Sequence, residues 1–461
     1  MSEQRLVSRS PQQPADVVAE AATTTPAEVQ AAATRARTAQ AEWAVAGAAG
    51  RSAALRIAGD GLVAHAAQLE DLIVREVGKP RLEARGEVAR SVAILHYYAQ
   101  QTLDPVGDAY PPSGRGLLYT ERRPHGVAGL ITPWNFPLAI PLWKAAPALA
   151  VGNAVLLKPS TQALACARFL EQILADALPE NLFRILPGEA ETARALLDAA
   201  DVVSFTGSSG VGRSVAVAAA GRGVPVQAEM GGQNAAIVLP DAHVEQTAAM
   251  LAGAAMGFAG QKCTATRRVL VVGDAGSFTD ALVTAVQKLA PADPSETGTS
   301  VGPLITEAAR DAVVSATQEA RRTGGRVLAG GTVPPPADGW FLAPTVVDGL
   351  APEHRLACEE TFGPFVTVFA AASLDEAVRI CNEVRYGLVT SIHGDDLGTV
   401  LKAVSTLDTG LIKVNAPTTG VDFYVPFGGE KASSHGPREQ GKAGMAFYSS
   451  IRTITIAPGA G

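Results

Sequence analysis

"TPWNFPLAIPLWKAAPALAVGNAVLLKPS", Thr132 to Ser160, decides how the chain folds. Its prolines hold the backbone irregular between a strand and a helix, since each fixes φ and withholds an N–H. The apolar run "AVLL" then ends on Lys158 at a strand terminus, the edge where open α/β sheets take ligands. Asn135 stands among apolar residues, and a buried amide must find partners or serve a ligand. It suits a developing oxyanion; the competing reading is a cap for the following helix. With the residues before it, "GVAGLITPWNFPLAIPLW" is the longest apolar stretch, but Pro133, Asn135, Pro137 and Pro141 break it, so it does not read as a membrane helix.

Outward from there, short apolar runs alternate with helical segments: "VAGLIT", "NLFRILPG", "VVSFTGS", "PVQAEMGG", "AAIVLP". That rhythm predicts parallel sheets covered by helices. A second α/β block holds "RRVLVVG", a helix near Ala281–Leu289, "GGRVLAGG" and "FVTVFAAASLDEAVRICN". Residues 27–100 have helical periodicity. "LLYTERRP" after "PPSGRG" predicts a hairpin strand, and "IRTITIA" a terminal strand whose open edge calls for a partner.

The 461 residues suit two or three domains. A net charge of −7 argues against nucleic acid or an anionic membrane as the main partner. Four cysteines, none in a CxxC pair and none at zinc spacing, argue against disulfides and metal and for a reducing compartment. The N-terminus has no apolar signal-peptide core, so a soluble, cytoplasmic protein is expected.

"GFAGQKCTATRR", Gly257 to Arg268, singles out Cys263. A Gly/Ala-rich lead-in permits close packing, and Lys262, Arg267 and Arg268 are expected to favour a thiolate. Glu229 in "AEMGGQN" reads as a base or as a solvated turn residue. "FTGSSGVG", Phe205 to Gly212, is a strand, a turn and a helix start able to hold a phosphate.

These stretches together resemble the aldehyde dehydrogenase superfamily nearly end to end: "PWNFP", "WKxxPALxxGNxxxLKPS", "FTGSxxVG", "ExGGxN", "GQxCTA", "EETFGPF", "NxxxYGL" and "PFGGxKxS" stand in family order. The resemblance implies a Rossmann-like cofactor domain (1–101 and 125–230), an oligomerisation hairpin (102–124), an α/β catalytic domain (231–425) and a return segment with an oligomerisation strand (426–461). It implies Cys263 as nucleophile, Glu229 as general base, and Asn135 with the Cys263 N–H as oxyanion donors. Lys144 and Glu439 match proton-relay positions. Lys158 matches the adenosine-ribose ligand, Glu360 the nicotinamide-ribose ligand, Phe362 the residue beside the nicotinamide, and Trp134 and Ser208 the pyrophosphate site. Thr132, Pro133, Ser160, Thr161, Gly207 and Gly231 complete the cofactor cleft. Arg90, Phe136, Trp143, Lys262, Thr264 and Phe423 fall in the substrate channel.

The expected reaction is NAD(P)-dependent oxidation of an aldehyde to its acid through a Cys263 thioester, on a short aldehyde with an anionic tail facing Arg90 and Lys262. A salt bridge from Arg90 to Glu83 or Glu87 is the competing reading of that arginine. A neutral aryl or alkyl aldehyde and a catalytically silent scaffold are the alternatives for the protein. Glu229 separates the chain from the coenzyme-A-acylating branch. Thr161 stands where NAD-preferring members carry an acid, so NADP is expected to serve at least as well as NAD. A homodimer or homotetramer is expected. The chain departs from the family at its N-terminus, short enough that the first strands are expected to be missing or frayed, at Met230 and Gln233, and at Ser434, where glycine is typical.

Overall fold

The computed structural model describes residues 5–104, 107–334 and 338–458. The first strands are present: Arg5–Arg9 pairs antiparallel with Val17–Ala22, which corrects the expectation that they would be missing or frayed. Four helices follow, Pro26–Val45, Gly47–Ala64, Ala66–Val77 and Arg81–Gln101. Thr25 and Glu28 close a reciprocal capping box at the first.

Two sheets carry the molecule. One has six strands in the order Ser434–His435, Val226–Glu229, Val202–Thr206, Val127–Ile131, Ala154–Lys158, Phe183–Ile185, all parallel but the first. Val127–Ile131 and Ala154–Leu157 are buried throughout, as expected of unbroken apolar strands covered on both faces. The other sheet has seven, in the order Arg326–Ala329, Thr345–Asp348, Phe365–Ala371, Arg268–Val272, Ala235–Val238, Val389–His393, Leu411–Val414, all parallel but the first. Each sheet has its own apolar core. The helix expected near Ala281–Leu289 runs from Gly276 to Gln287.

The third element is a three-stranded antiparallel sheet in which Ser449–Ile456 pairs along its whole length with Leu117–Pro124, and Ala109–Tyr110 covers that strand's other side. Ser449–Ile456 is thus an edge strand among the described residues. Of the expected domain spans, residues 1–4, 105–106, 335–337 and 459–461 lie outside the described residues.

The two large sheets meet at one place. Parallel strands of the first end at Ile131, Lys158, Thr206 and Glu229, while strands of the second begin at Ala235, Arg268 and Phe365. The loops at these ends carry Thr132–Asn135, Ser160, Gly207–Ser208, Gly231, Cys263 and Glu360–Phe362, so one sheet's carboxyl edge and the other's amino edge border a common cleft.

Candidate active site

The turn that carries Asn135 is held from below. Helix Ala139–Ala150 begins just beyond it, and its free N–H groups at Leu138 and Ala139 donate to Glu87 Oε1 at 2.9 and 3.0 Å. Glu87, not Asn135, is the cap, which removes the competing reading of the asparagine. Glu87 Oε2 pairs with Lys79, and both side chains are fully buried. Asn135 is buried, and its amide donates to the Gln261 carbonyl at 3.0 Å. One of its two N–H bonds remains for another acceptor.

The cysteine loop is clamped from several sides. Phe258 and Ala259 have left-handed backbones at φ 55° and 51°, conformations costly for side-chain-bearing residues. Gln261 ties the loop to Pro303 and Ile305. Asn234 donates to the carbonyls of Cys263 and Ala265 at 2.7 and 2.9 Å. The buried Arg267 guanidinium donates to Gly260 O at 2.5 Å and to Gly363 O at 2.6 Å, joining the cysteine loop to the loop of Glu360 and Phe362. Arg268 donates to the carbonyls of Gln233, Ile380 and Cys381. Gln233, in place of the family's lysine, likewise donates to the carbonyls of Leu356 and Ala357 at 3.1 Å.

Those arginines are therefore spent on backbone carbonyls, and Lys262 pairs with Glu83 at 2.7 Å. Burial, then the charges of Glu360, Glu229 and Glu439, push the Cys263 thiol up to about 12. The expectation that neighbouring cations favour a thiolate is thus overturned; in the protein alone Cys263 is a thiol at neutral pH.

Glu229 ends its strand, is buried, and accepts the Ser434 hydroxyl at 2.5 Å on Oε2. Burial first, then the Glu439 charge, raise its pKa well above the usual carboxylate range, while Ser434, Lys144 and Arg438 pull it back. It is no solvated turn residue. Lys144 and Glu439 form a buried pair whose ammonium also reaches Ser204 Oγ at 2.8 Å.

A cavity of about 390 Å³ opens on Cys263. Helix Arg81–Gln101 contributes Glu83, Gly86, Glu87 and Arg90, one face by helical spacing. Phe136, Trp143, Lys262, Thr264, Phe427 and Gln440 line it as well. Phe423 is not in this wall; its ring packs edge-on against Tyr97, with centroids 5.7 Å apart. The salt bridge of the competing reading does not form: Glu83 is taken by Lys262 and Glu87 by Lys79. Arg90 has no ion-pair partner within 4 Å among the described residues, although Asp422 and Glu87 act on it at longer range.

The cleft between the sheets fits a dinucleotide. Thr132 Oγ1 and Glu360 Oε1 are buried and unpartnered among the described residues, and a side chain at Gly231 would overlap Glu360 Oε2. Burial lifts Glu360 to about 7, with Arg267 and the Gly232 N–H pulling it down. The Trp134 and Phe362 rings meet at right angles, 6.0 Å apart. Gly207 and Ser208 lead into helix Ser209–Gly221, and Pro133 follows Thr132 in the turn. Lys158 ends its strand, and Ser160 and Thr161 open the next turn. There Thr161 Oγ1 donates to Glu189 Oε1 at 2.5 Å, and Glu189 acts on Lys158 as well. Sequence reasoning missed the roles of Glu87 and Glu189, for which no local signal exists; Gln261 and Asn234 lay inside recognised motifs without a role.

A parallel-sheet cleft for a dinucleotide, beside a clamped cysteine and a buried carboxylate, is the setting of an oxidoreductase. The profile described as "Aldehyde dehydrogenase family" matches residues 1–454, and the chain belongs to that family. It is 35% identical over 452 residues to the alpha-ketoglutaric semialdehyde dehydrogenase of Bacillus subtilis (strain 168), covering 96% of this chain and 93% of that one. It is 37% identical to the alpha-ketoglutarate semialdehyde dehydrogenase of Haloferax volcanii, covering 96% and 94%. The crystal structure of betaine aldehyde dehydrogenase from Staphylococcus aureus in complex with NAD+ superposes with a TM-score of 0.94 at 27% identity, covering 98% and 92%. The protein is accordingly an oxidoreductase that acts on an aldehyde with NAD or NADP.

Proposed function

We propose that the protein oxidises a short aldehyde with an anionic tail, a semialdehyde in the first instance, to the free carboxylic acid with NAD. Cys263 gives up its proton to water in the open cavity and attacks the carbonyl carbon as its thiolate. The oxyanion is held by the spare N–H of Asn135 and the backbone N–H of Cys263. The turn from Thr132 to Trp134, with Lys158, Ser208 and Glu360, would hold the coenzyme, which would supply the hydride acceptor. Loss of hydride leaves a thioester on Cys263. Glu229 takes a proton from water, which cleaves the thioester, and the Lys144–Glu439 pair offers the proton a way onward.

The observation that carries the substrate reading is Arg90, a half-buried guanidinium on the cavity wall with no carboxylate within ion-pair distance among the described residues. A cation so held calls for an anion. The names of the two relatives, both keto-acid semialdehyde dehydrogenases, agree with a carboxylate tail. Lys262, neutralised by Glu83, takes no part in it. Arg90→Met is expected to raise KM for an anionic aldehyde at least tenfold while leaving a neutral one of similar length nearly unchanged. Equal effects on both, or better use of neutral aldehydes by the wild type, return Arg90 to a structural role and favour the aryl or alkyl alternative.

Glu189 supports NAD over NADP. Sequence alone leaves Thr161 free to bond a 2′-phosphate, but its hydroxyl is engaged by a carboxylate that would repel one. A homodimer or homotetramer, in the cytoplasm, is the assembly we favour: the edge strand Ser449–Ile456 exposes Ile451 and Ile456 beside Leu117, and all four cysteines are free.

A further inference from the structure

Ser434 is a side chain where the family typically has none. Its short strand, Ser434–His435, pairs antiparallel with Val226–Glu229, bringing Ser434 directly opposite Glu229. The hydroxyl oxygen accepts the Gly429 N–H at 2.6 Å, and the hydroxyl proton goes to Glu229 Oε2 at 2.5 Å. These two contacts fix the rotation of the hydroxyl and aim it at one carboxylate oxygen. The other oxygen, Oε1, is buried and unpartnered among the described residues, and a side chain at Gly428 would come within 2.8 Å of it. Glu229 does not line the cavity that opens on Cys263. The carboxylate is turned towards the strand pair.

We propose that Ser434 is a positioning residue for the general base: it holds Glu229 as a carboxylate against the strand pair while the thioester forms, and yields it for hydrolysis. The proposal rests on the reading of Glu229 as that base. A hydroxyl that donates to a buried carboxylate favours the ionised form; glycine in its place leaves both oxygens without a donor. The other groups that act on Glu229 are Glu439, which disfavours its charge, Lys144 and Arg438, which favour it, and the Cys263 thiol. None of them changes when Ser434 alone is replaced, so a shift in the acid limb of thioester hydrolysis reports the hydroxyl.

The test is a rapid-mixing experiment on the full-length enzyme with coenzyme and a short aldehyde. It follows the burst of reduced coenzyme and, by mass spectrometry of quenched samples, the acyl group on Cys263, from pH 5 to pH 9. In Ser434→Ala the burst is expected to keep its rate within about twofold, while the acid limb of thioester decay moves up by about one pH unit. At acidic pH that is a roughly tenfold slower decay. Ser434→Thr, which restores a hydroxyl, is expected to restore the limb, and Ser434→Gly, free of any steric demand, to repeat the alanine result should Ser434→Ala fold poorly. An unmoved limb in Ser434→Ala or Ser434→Gly, a burst slowed as much as the decay, or no rescue by threonine overturns the proposal. Glu229→Gln, run alongside, separates the two readings. If it hydrolyses the thioester normally, Glu229 is not the base. If it stalls while Ser434→Ala matches wild type, only the positioning role fails.

Discussion

Among the described residues two lysine–carboxylate pairs lie buried, and they serve different ends. Lys79 and Glu87 are wholly enclosed. The ammonium sits 3.8 Å from the centre of the Phe136 ring and 4.8 Å from that of Phe258, and the second carboxylate oxygen takes two helix N–H groups. Lys144 and Glu439 are as deeply buried, but Glu439 Oε2 has no partner among the described residues, and the charge of Glu439 acts on Glu229. Burial of an ion pair alone does not decide its use. The pair whose valences are closed fixes a turn; the pair left open acts on a neighbouring charge.

Breaking the closed pair gives the largest expected effect. Glu87→Ala strands the Lys79 charge in the core and frees the turn bearing Asn135, at a cost of about 3–5 kcal/mol read from the denaturant midpoint. Adding Lys79→Met to that variant should recover much of the loss, since no buried charge is then unpaired. A single variant within about 1 kcal/mol of wild type would mean the pair is not closed in solution.

The open pair is expected to speak through pH. The negative charge of Glu439 raises the pKa of Glu229. Removing it in Glu439→Gln lowers that pKa, so the carboxylate form persists to more acid conditions and the acid limb of turnover moves down. Glu87→Gln should leave the limb in place. The same displacement in both variants, or an upward one in Glu439→Gln, would erase the distinction.

The smallest effect belongs to an exposed carboxylate, Glu189. Glu189→Ala should raise the NADP-to-NAD ratio of kcat/KM roughly tenfold by removing a repulsion screened by solvent. A wild type that already prefers NADP would show that the carboxylate is not near the 2′ position.

Much of this site is legible in the sequence, and the limits have a physical pattern. Cys263, Glu229 and Asn135 stand out because each needs a particular local setting of glycines, prolines or small residues, and motifs record local settings. Glu87 meets Leu138 across 51 positions and Glu189 meets Thr161 across 28, so only the fold brings them together. The thiolate expectation failed for a related reason. Adjacency along the chain suggested three cations around Cys263, but Arg267 and Arg268 reach to carbonyls of distant loops, and Lys262 finds a carboxylate on a helix near residue 83. The alternation of sheets and helices was plain because apolar runs report burial directly. The first strands were misjudged because length was taken as a measure of order.

The left-handed backbone at Phe258 and Ala259 bears on how this protein could change. Each such residue costs about 1–2 kcal/mol relative to an ordinary helical or extended conformation. Phe258 carries a ring that supports Lys79 and Trp134, so its strain is bound to its packing. Ala259 carries only a methyl group. It is the position where a glycine would most readily make the protein hardier to heat, and where the same freedom would loosen the delivery of Cys263. A gain in heat resistance at Ala259 would therefore come with a looser hold on Cys263.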